Sequence, residues 1–448
     1  MAGLLASNSE YSLVLEPQAL SFMGRALYRT DPTQFFLMKN IDRVSSKTGL
    51  VDPMPSAEDF VLAEWLTHAE RSAFREMLAI TGQPGLISFA VGLPATELLP
   101  REALADAWIE TLKTDHMSLQ LGPPFLPLKE QVVELMAQRG VECRPSQVFL
   151  TSGAQQGLNL LARLLLKEGA EVIVEEATYP GLLMVIEPYR PKVISVSTEK
   201  DGINVDEVEQ RLANGARPAF IFTMSDGHNP LGLSLSQSKR ERLVEIARRH
   251  RVPIIEDDVY SFLYYEGPSL PPMRALEDQW VLYVSSFSKT LGPGLRTGWM
   301  IVPEALIPRL SIIKDLTDID SCTLTQRAIA HYLRQNKSLD LLASVRREYI
   351  ERRDCMLQAL EKHFSGIATW EKPTSGIFIW LRLVGGIDTA ELIKTAVQRE
   401  HVAFIPGKAF TTGDRDWAKA CIRLSFTSCR REQIGEGIAR LARSLQND

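Results

Sequence analysis

The chain has 448 residues, 45% apolar and 23% charged, with a formal net charge of −5. That length buries a large core and leaves room for two domains. The acidic balance excludes a nucleic-acid footprint or a polybasic membrane surface.

The longest apolar runs, such as Leu158–Leu166, are short and broken by Arg163, so no segment is long enough to span a bilayer. Five cysteines (Cys143, Cys322, Cys355, Cys421, Cys429) are scattered without a C-x-x-C pair. Reduced thiols are expected, with neither a zinc site nor a disulfide framework. The start, MAGLLASNSEYS, lacks a basic leader before an apolar core, so a cytoplasmic location is expected.

Residues 1–70 carry few signals. Ala19–Tyr28 and Ala57–His68 have the spacing of amphipathic helices, with Pro53 and Pro55 between them. Five basic residues meet eight acidic ones in the first 65 positions, which argues against a DNA-reading helix and for an arm or lid. From Leu86 the pattern becomes ISFAVGLPATELLP, a short strand and a turn in which Gly92 lets a ligand approach the backbone. An ordinary strand-ending turn fits the same residues. SLQLGPPFLPLKEQVVELM then reads as a Gly/Pro turn entering an amphipathic helix.

QVFLTSGAQQGLNLLARLLL predicts a strand, a small-residue turn and a helix. The amides of Gly153, Ala154 and Gln155 fall at that helix's N-terminus, where free N–H groups hold an anion such as phosphate. Beyond it a βα rhythm sets in. Strands are predicted at Glu171–Glu175, Val193–Ser197, Ala219–Thr223, Pro253–Glu256, Val281–Ser285 and Trp299–Val302. A helix over Ser238–Arg249 opens with the box Ser238-x-x-Glu241 and buries Leu243, Ile246 and Ala247. Such alternation implies a mainly parallel sheet between helices, with ligands at the carboxyl ends of the strands.

Three strand ends stand out. ATYPG offers Tyr179 as a plate for a planar ring, and MSDGHNPLG holds Asn229 between fixed turn residues. DDVY brings Asp257, Asp258 and Tyr260. A carboxylate at a dry strand end needs a cation. A protonated pyridine nitrogen supplies one, with Asn229 and Tyr260 in position for the ring's phenolic oxygen. The Asp-Asp pair also fits Mg²⁺, but that leaves the lysine, arginine, tyrosine and asparagine unexplained.

The stretch VLYVSSFSKTLGPGLRTGWMIV carries the reactive group. Lys289 directly follows a buried strand, where loss of water favours the free amine. Arg296, seven residues on, suits a fixed dianion through its planar fork. A nucleophilic lysine beside an anion clamp is what an aldehyde cofactor with a phosphate tail requires: pyridoxal phosphate. A surface lysine is the common alternative for this one position.

Beyond Asp315 the pattern is helical, and the charged SVRREYIERRD stretch within Lys337–Phe364 reads as a solvated helix face. TSGIFIWLRL, HVAFIPGKAF and CIRLSFT are further strands, with a helix over Asp388–Glu400, forming a smaller α+β domain. Arg423 sits inside an apolar strand and needs an anion. A substrate carboxylate or a buried Asp/Glu would serve.

Together these residues closely resemble the fold-type I pyridoxal-phosphate enzymes, in particular class I/II aminotransferases. The most similar branch holds 2-aminoadipate and aromatic aminotransferases and the aminotransferase-like half of MocR-type regulators. The resemblance covers about Arg71 to the C-terminus. It implies an α/β fold with a mainly parallel seven-stranded sheet in a large domain and a smaller α+β domain. It also implies an extension at 1–70, small-domain segments at 71–115 and 321–448, and the large domain at 116–320.

By the same resemblance Lys289 binds the cofactor aldehyde and shuttles a proton between the substrate Cα and C4′, and Asp257 pairs with the pyridine nitrogen. Tyr179 stacks on the ring, and Asn229 and Tyr260 contact its oxygen. Ser152, Gly153, Ala154, Gln155, Ser286, Ser288 and Arg296 hold the phosphate. Arg423 takes the substrate α-carboxylate, and Gly92 and Asn229 flank the substrate. The activity implied is transfer of an α-amino group between an L-amino acid (hydrophobic, aromatic or 2-aminoadipate-like) and a 2-oxo acid. It would run in a cytoplasmic homodimer with the active site at its interface, with no nucleic acid, membrane or metal.

Three departures fall at the cofactor edge, substrate entrance or dimer contact. Leu121 replaces the usual tyrosine before a shortened GPPFLPL segment, SDGH precedes Asn229 in place of P-x-x-Q/H, and the first 70 residues exceed the family norm. They leave open a lyase, cyclase or oxidase of a specialised biosynthetic pathway using the same cofactor, or a non-catalytic effector-sensing module.

Overall fold

A computed structural model describes residues 59–67, 83–267, 269–336, 340–413 and 415–446. The expected helix Ala19–Tyr28 lies outside these residues. The chain divides into two compact units, 1–63 and 64–448. In the first, described over 59–63, Phe60, Val61 and Leu62 are exposed. The predicted helix Ala57–His68 does not form over residues 59–67, where the only run beyond residue 60 is a 3-10 turn, Glu64–Thr67. Three apolar residues in succession give a helix no single face to bury.

The larger unit is built on a seven-stranded sheet of β1 (Val148–Thr151), β2 (Glu171–Glu175), β3 (Lys192–Val196), β4 (Ile221–Thr223), β5 (Ile254–Asp257), β6 (Val281–Ser286) and β7 (Gly298–Ile301). Their spatial order is β1-β7-β6-β5-β4-β2-β3. Strands β2 to β6 pair in parallel, whereas β7 is antiparallel to both β6 and β1. The short loop 287–297 explains that reversal, because a parallel return needs a crossover of a dozen residues or more. Every residue of β5, β6 and β7 is buried, as expected of strands covered on both faces. Each strand predicted for this sheet is present, shifted by at most two residues at an end, whereas the predicted strand over 374–383 begins only at Phe378 and that over 401–410 breaks into Val402–Ala403, Ile405–Pro406 and a 3-10 turn.

Helix α1 (Leu126–Ala137) buries Leu128, Val132 and Met136, and α2 (Ala154–Leu165) buries Leu158, Leu161 and Ala162. Helix α3 (Gln237–His250) buries the expected Leu243, Ile246 and Ala247, but its N-cap is Ser236 without a side-chain cap bond. The predicted capping box is absent because Glu241 instead accepts from Gln237 Nε2 at 2.7 Å.

A second, antiparallel sheet holds β8 (Ala368–Trp370), β9 (Phe378–Leu383), β10 (Ile405–Pro406) and β11 (Cys421–Ser425) in the order β8-β9-β11-β10. Helix α4 (Asp340–Phe364) is not simply solvated on its charged stretch. Arg352 and Arg353 are buried, the first paired with Glu97 and Glu348 and the second with Glu266 and Asp354. A charge count along the sequence cannot separate such inward arginines from solvent-facing ones.

Candidate active site

The predicted residues converge at the carboxyl ends of β1, β2, β4, β5 and β6, facing β9 and β11. Lys289 ends a 3-10 turn directly after β6. Its Nζ donates to the Gly92 carbonyl at 2.7 Å and lies 5.6 Å from the Tyr260 ring centroid. Burial, helped by the Arg423 and Arg296 charges, lowers the amine to about 8, with Asp257 pulling the other way. A cation, a buried acid and an amine thus sense each other across one small volume.

Asp257 closes β5, and its Oδ1 is buried with no hydrogen-bond partner among the described residues. Burial first, then the Asp258 charge, raises its carboxyl to about 7 against the pull of Lys289. Asp258 is occupied elsewhere, accepting from Tyr283 Oη at 2.9 Å and lying 3.7 Å from Arg139. Among the described residues no group of three or more metal-ligating side chains forms around the two aspartates.

At the other end, Gly153 caps α2 at φ 91°. A Cβ there would lie 2.8 Å from Arg296 Nη2, so glycine is required for the approach. Arg296 Nη2 donates to the Ser152 carbonyl at 3.0 Å. The amides of Gly153, Ala154 and Gln155 meet no protein acceptor among the described residues. Ser286 Oγ donates to the Thr297 carbonyl at 3.0 Å and stands 2.8 Å from Ser288 Oγ. Free amides, two hydroxyls and a guanidinium make a pocket for a dianion. Gln155 differs from its neighbours in that its side chain also bonds Tyr179, whose Oη donates to Gln155 Oε1 at 3.0 Å. Burial pushes the Tyr179 hydroxyl up to about 12, so it stays protonated.

Arg423 comes from β11. It is buried, donates from Nη1 to Asn229 Oδ1 at 3.0 Å and from Nη2 to the Ala90 carbonyl, and leaves Nε without a partner. Its guanidinium lies 4.3 Å from the Phe378 ring centroid and 4.9 Å from that of Phe410. No acidic side chain pairs with it among the described residues, and burial lowers it to about 10. Of the two partners open from sequence, the buried Asp/Glu is absent. Tyr260, also buried, packs edge-on to Phe378 at 5.8 Å.

This arrangement matches a known family along most of the chain. The model for aminotransferase class I and II matches residues 84–441. The chain belongs to the class I and II aminotransferases. Aromatic-amino-acid aminotransferase 1 of Thermococcus litoralis is 33% identical over 386 residues, covering 84% of this chain and 92% of that one. The 2-aminoadipate transaminase of Thermus thermophilus is 33% identical over 384 residues, with 84% and 94% coverage. A crystal structure of the Thermus thermophilus alpha-aminoadipate aminotransferase, complexed with N-(5'-phosphopyridoxyl)-L-leucine, has a TM-score of 0.80 at 31% identity, covering 86% of this chain and 97% of that one. The fold is fold type I, the cofactor of this aminotransferase is pyridoxal phosphate, and amino-group transfer is favoured over the lyase, cyclase, oxidase and sensing readings.

The aminotransferase's residues fit that cofactor: an unpartnered buried carboxylate for a cationic ring nitrogen, and an anion cradle opened by Gly153. Leu121 is 72% exposed. Several contributors escaped the sequence reading. Phe378 and Phe410 flank Arg423, yet in sequence they are indistinguishable from core aromatics. Ser321 Oγ lies 3.0 Å from Ser152 Oγ, from a helical stretch with no motif of its own. A buried His228–Glu175 pair, 2.9 Å apart and joined by Thr223, holds the turn before Asn229. Only the histidine in SDGH hinted at it. Among the described residues no helix is long and apolar enough to cross a membrane.

Proposed function

We propose that this aminotransferase accepts an L-amino acid by its α-carboxylate on Arg423, moves the Cα proton with Lys289, and passes the amino group to a 2-oxo acid. The single observation that carries the reading is two buried charges without an ion-pair partner among the described residues, Arg423 and Asp257, both near enough to act on Lys289. An unpaired buried ion costs several kcal/mol, so each points to a ligand charge that offsets it.

Bound here, pyridoxal phosphate supplies an aldehyde that captures the amino group and a cationic ring that draws electrons from Cα. Asp257 would keep the ring nitrogen protonated, Tyr179 would stack on the ring, and Asn229 and Tyr260 would hold its oxygen. Ser152, Gly153, Ala154, Gln155, Ser286, Ser288 and Arg296 fix the phosphate. With its amine lowered to about 8, Lys289 would serve as the base that holds the proton leaving the substrate Cα near neutral pH. Gly92 flanks the substrate and orients Lys289 through its carbonyl.

The donors in this proposal are hydrophobic, aromatic or 2-aminoadipate-like amino acids. Support comes from the names of the two relatives and from the apolar Leu93, Leu121 and Phe125 nearby in sequence. The working form is a cytoplasmic homodimer whose subunits meet over the active site. Leu119 and Leu121, 76% and 72% exposed, and the exposed Leu126 and Arg296 support a face that a second copy covers. A panel of amino acids with 2-oxoglutarate tests the donor class. Turnover with phenylalanine, leucine or 2-aminoadipate is expected, and turnover confined to small polar donors contradicts the assignment. Sedimentation of the intact protein as a monomer at assay concentration contradicts the dimer.

A further inference from the structure

A second cleft, of about 480 Å³, lies between the end of β2 and the sheet β8-β9-β11-β10, and the transaminase site makes no use of it. Its walls include Trp370, Trp380 and Trp417, three of the chain's seven tryptophans. All three are only half-buried, with part of each ring open to the cleft or to water. Large aromatic rings left half-wet and gathered in one concavity mark a binding surface more often than scattered exposed apolar residues do. The volume falls within the roughly 300–1,000 Å³ typical of small-molecule sites.

The charges around the cleft sort into used and unused. Lys200 pairs with Glu371 at 2.8 Å and Glu199 with Lys239 at 2.5 Å. Two groups of opposite sign remain, Glu176 just past β2 and Arg382 on β9, and neither has an ion-pair partner among the described residues. Arg382 is exposed and Glu176 half-buried. Burial raises the Glu176 carboxyl, although a hydrogen bond from the Thr198 backbone, then the Arg415 and Arg382 charges, draw it back down. An aromatic floor with one cation and one acid outside any ion pair is complementary to a molecule carrying a ring, a carboxylate and an ammonium.

We propose that this cleft is a second binding site, distinct from the catalytic one, for a free aromatic amino acid. The ring lies among Trp370, Trp380 and Trp417, the carboxylate meets Arg382 and the ammonium meets Glu176. The site is not isolated from the catalytic centre. Trp380 packs edge-on to Phe410 at 5.8 Å, and Phe410 lies 4.9 Å from the guanidinium of Arg423. Trp380 and Arg423 are also register partners across β9 and β11.

Calorimetric titration of the holoenzyme tests this, after borohydride has fixed the cofactor and stopped turnover. The probes are L-phenylalanine, phenethylamine and 3-phenylpropionate. L-phenylalanine should bind a site that survives Arg423→Lys and weakens about tenfold or more in Arg382→Gln. Trp417→Leu should weaken it similarly, and the two probes lacking one charge should bind less tightly than the amino acid. Arg382 is exposed, so its substitution leaves folding intact, and a melting curve checks the tryptophan variant. The proposal is overturned by any of three results: no binding of L-phenylalanine, binding untouched by Arg382→Gln, or binding wholly lost in Arg423→Lys. The last would assign all binding to the substrate site without disturbing the aminotransferase reading.

Discussion

The end of β5 carries Glu256 and Asp257, with Asp258 just past it, and the two sides of that strand end are wired differently. Below it, Glu256 accepts from the Ser225 hydroxyl and from the Met273 and Arg274 amides at 2.8 and 2.9 Å. Asp258 has Tyr283 and Arg139, and Asp226 pairs with Arg240 at 2.8 Å. Above it, among the described residues, no salt bridge reaches Asp257, although the Lys289 charge acts on it, and no acid pairs with Arg423 across the cleft. The lower set is ion-paired within itself, although Asp258 Oδ1 and Arg139 Nε and Nη1 also lack hydrogen-bond partners among the described residues. The upper set is open, and its missing partners define what the site binds. Burial alone does not distinguish them, because both sets are buried; partnership does.

The sharpest break between the two sets is expected at Lys289. Lys289→Ala should lower turnover about a thousandfold or more with the fold intact, since no other lysine shares that position. Steady-state assays with circular dichroism check it. Arg423→Lys should come next, raising KM for the amino acid about tenfold or more while kcat falls less, because lysine cannot grip a carboxylate with two parallel bonds. Equal KM values for the variant and the parent contradict the clamp.

Asp257→Asn separates the open set from the ion-paired one by the size of its effect. The Asp257 carboxyl is raised to about 7 in the folded chain, so its ionisation costs stability that is fully felt above pH 7 and absent below about pH 4. The cofactor-free Asn variant should therefore melt higher than the parent at pH 8, by roughly 4 kcal/mol at most, and the gain should vanish near pH 4. The same variant should bind pyridoxal phosphate more weakly. Burial raises the Asp258 carboxyl too, against the pull of Arg139, so Asp258→Asn should gain less at pH 8 than Asp257→Asn, because Arg139 and Tyr283 lose a buried charged acceptor. A gain in Asp258→Asn equal to or larger than that in Asp257→Asn contradicts the distinction.

Much of this was legible in the sequence because the chemistry falls at strand ends and strands announce themselves. The runs around Glu171–Glu175 and Val281–Ser286 are apolar and bounded by turn residues, so Tyr179 and Lys289 follow from counting. Gly153 was legible because a glycine between a strand and a helix has few purposes. The antiparallel turn of β7 follows from a loop length that the βα rhythm concealed. The inward arginines of α4 were not legible, because their partners Glu97 and Glu266 are distant in sequence. Nor was Phe410 beneath Arg423, since an aromatic side chain reads the same in a core as under a guanidinium.

The central claim is that Lys289 carries the cofactor opposite Asp257. Borohydride reduction of the holoenzyme, proteolysis and peptide mass spectrometry test it most directly. A single phosphopyridoxyl group on the peptide containing Lys289 is expected, and it should be absent from Lys289→Ala. Stoichiometric labelling of a different lysine, or none in protein saturated with pyridoxal phosphate, contradicts the account.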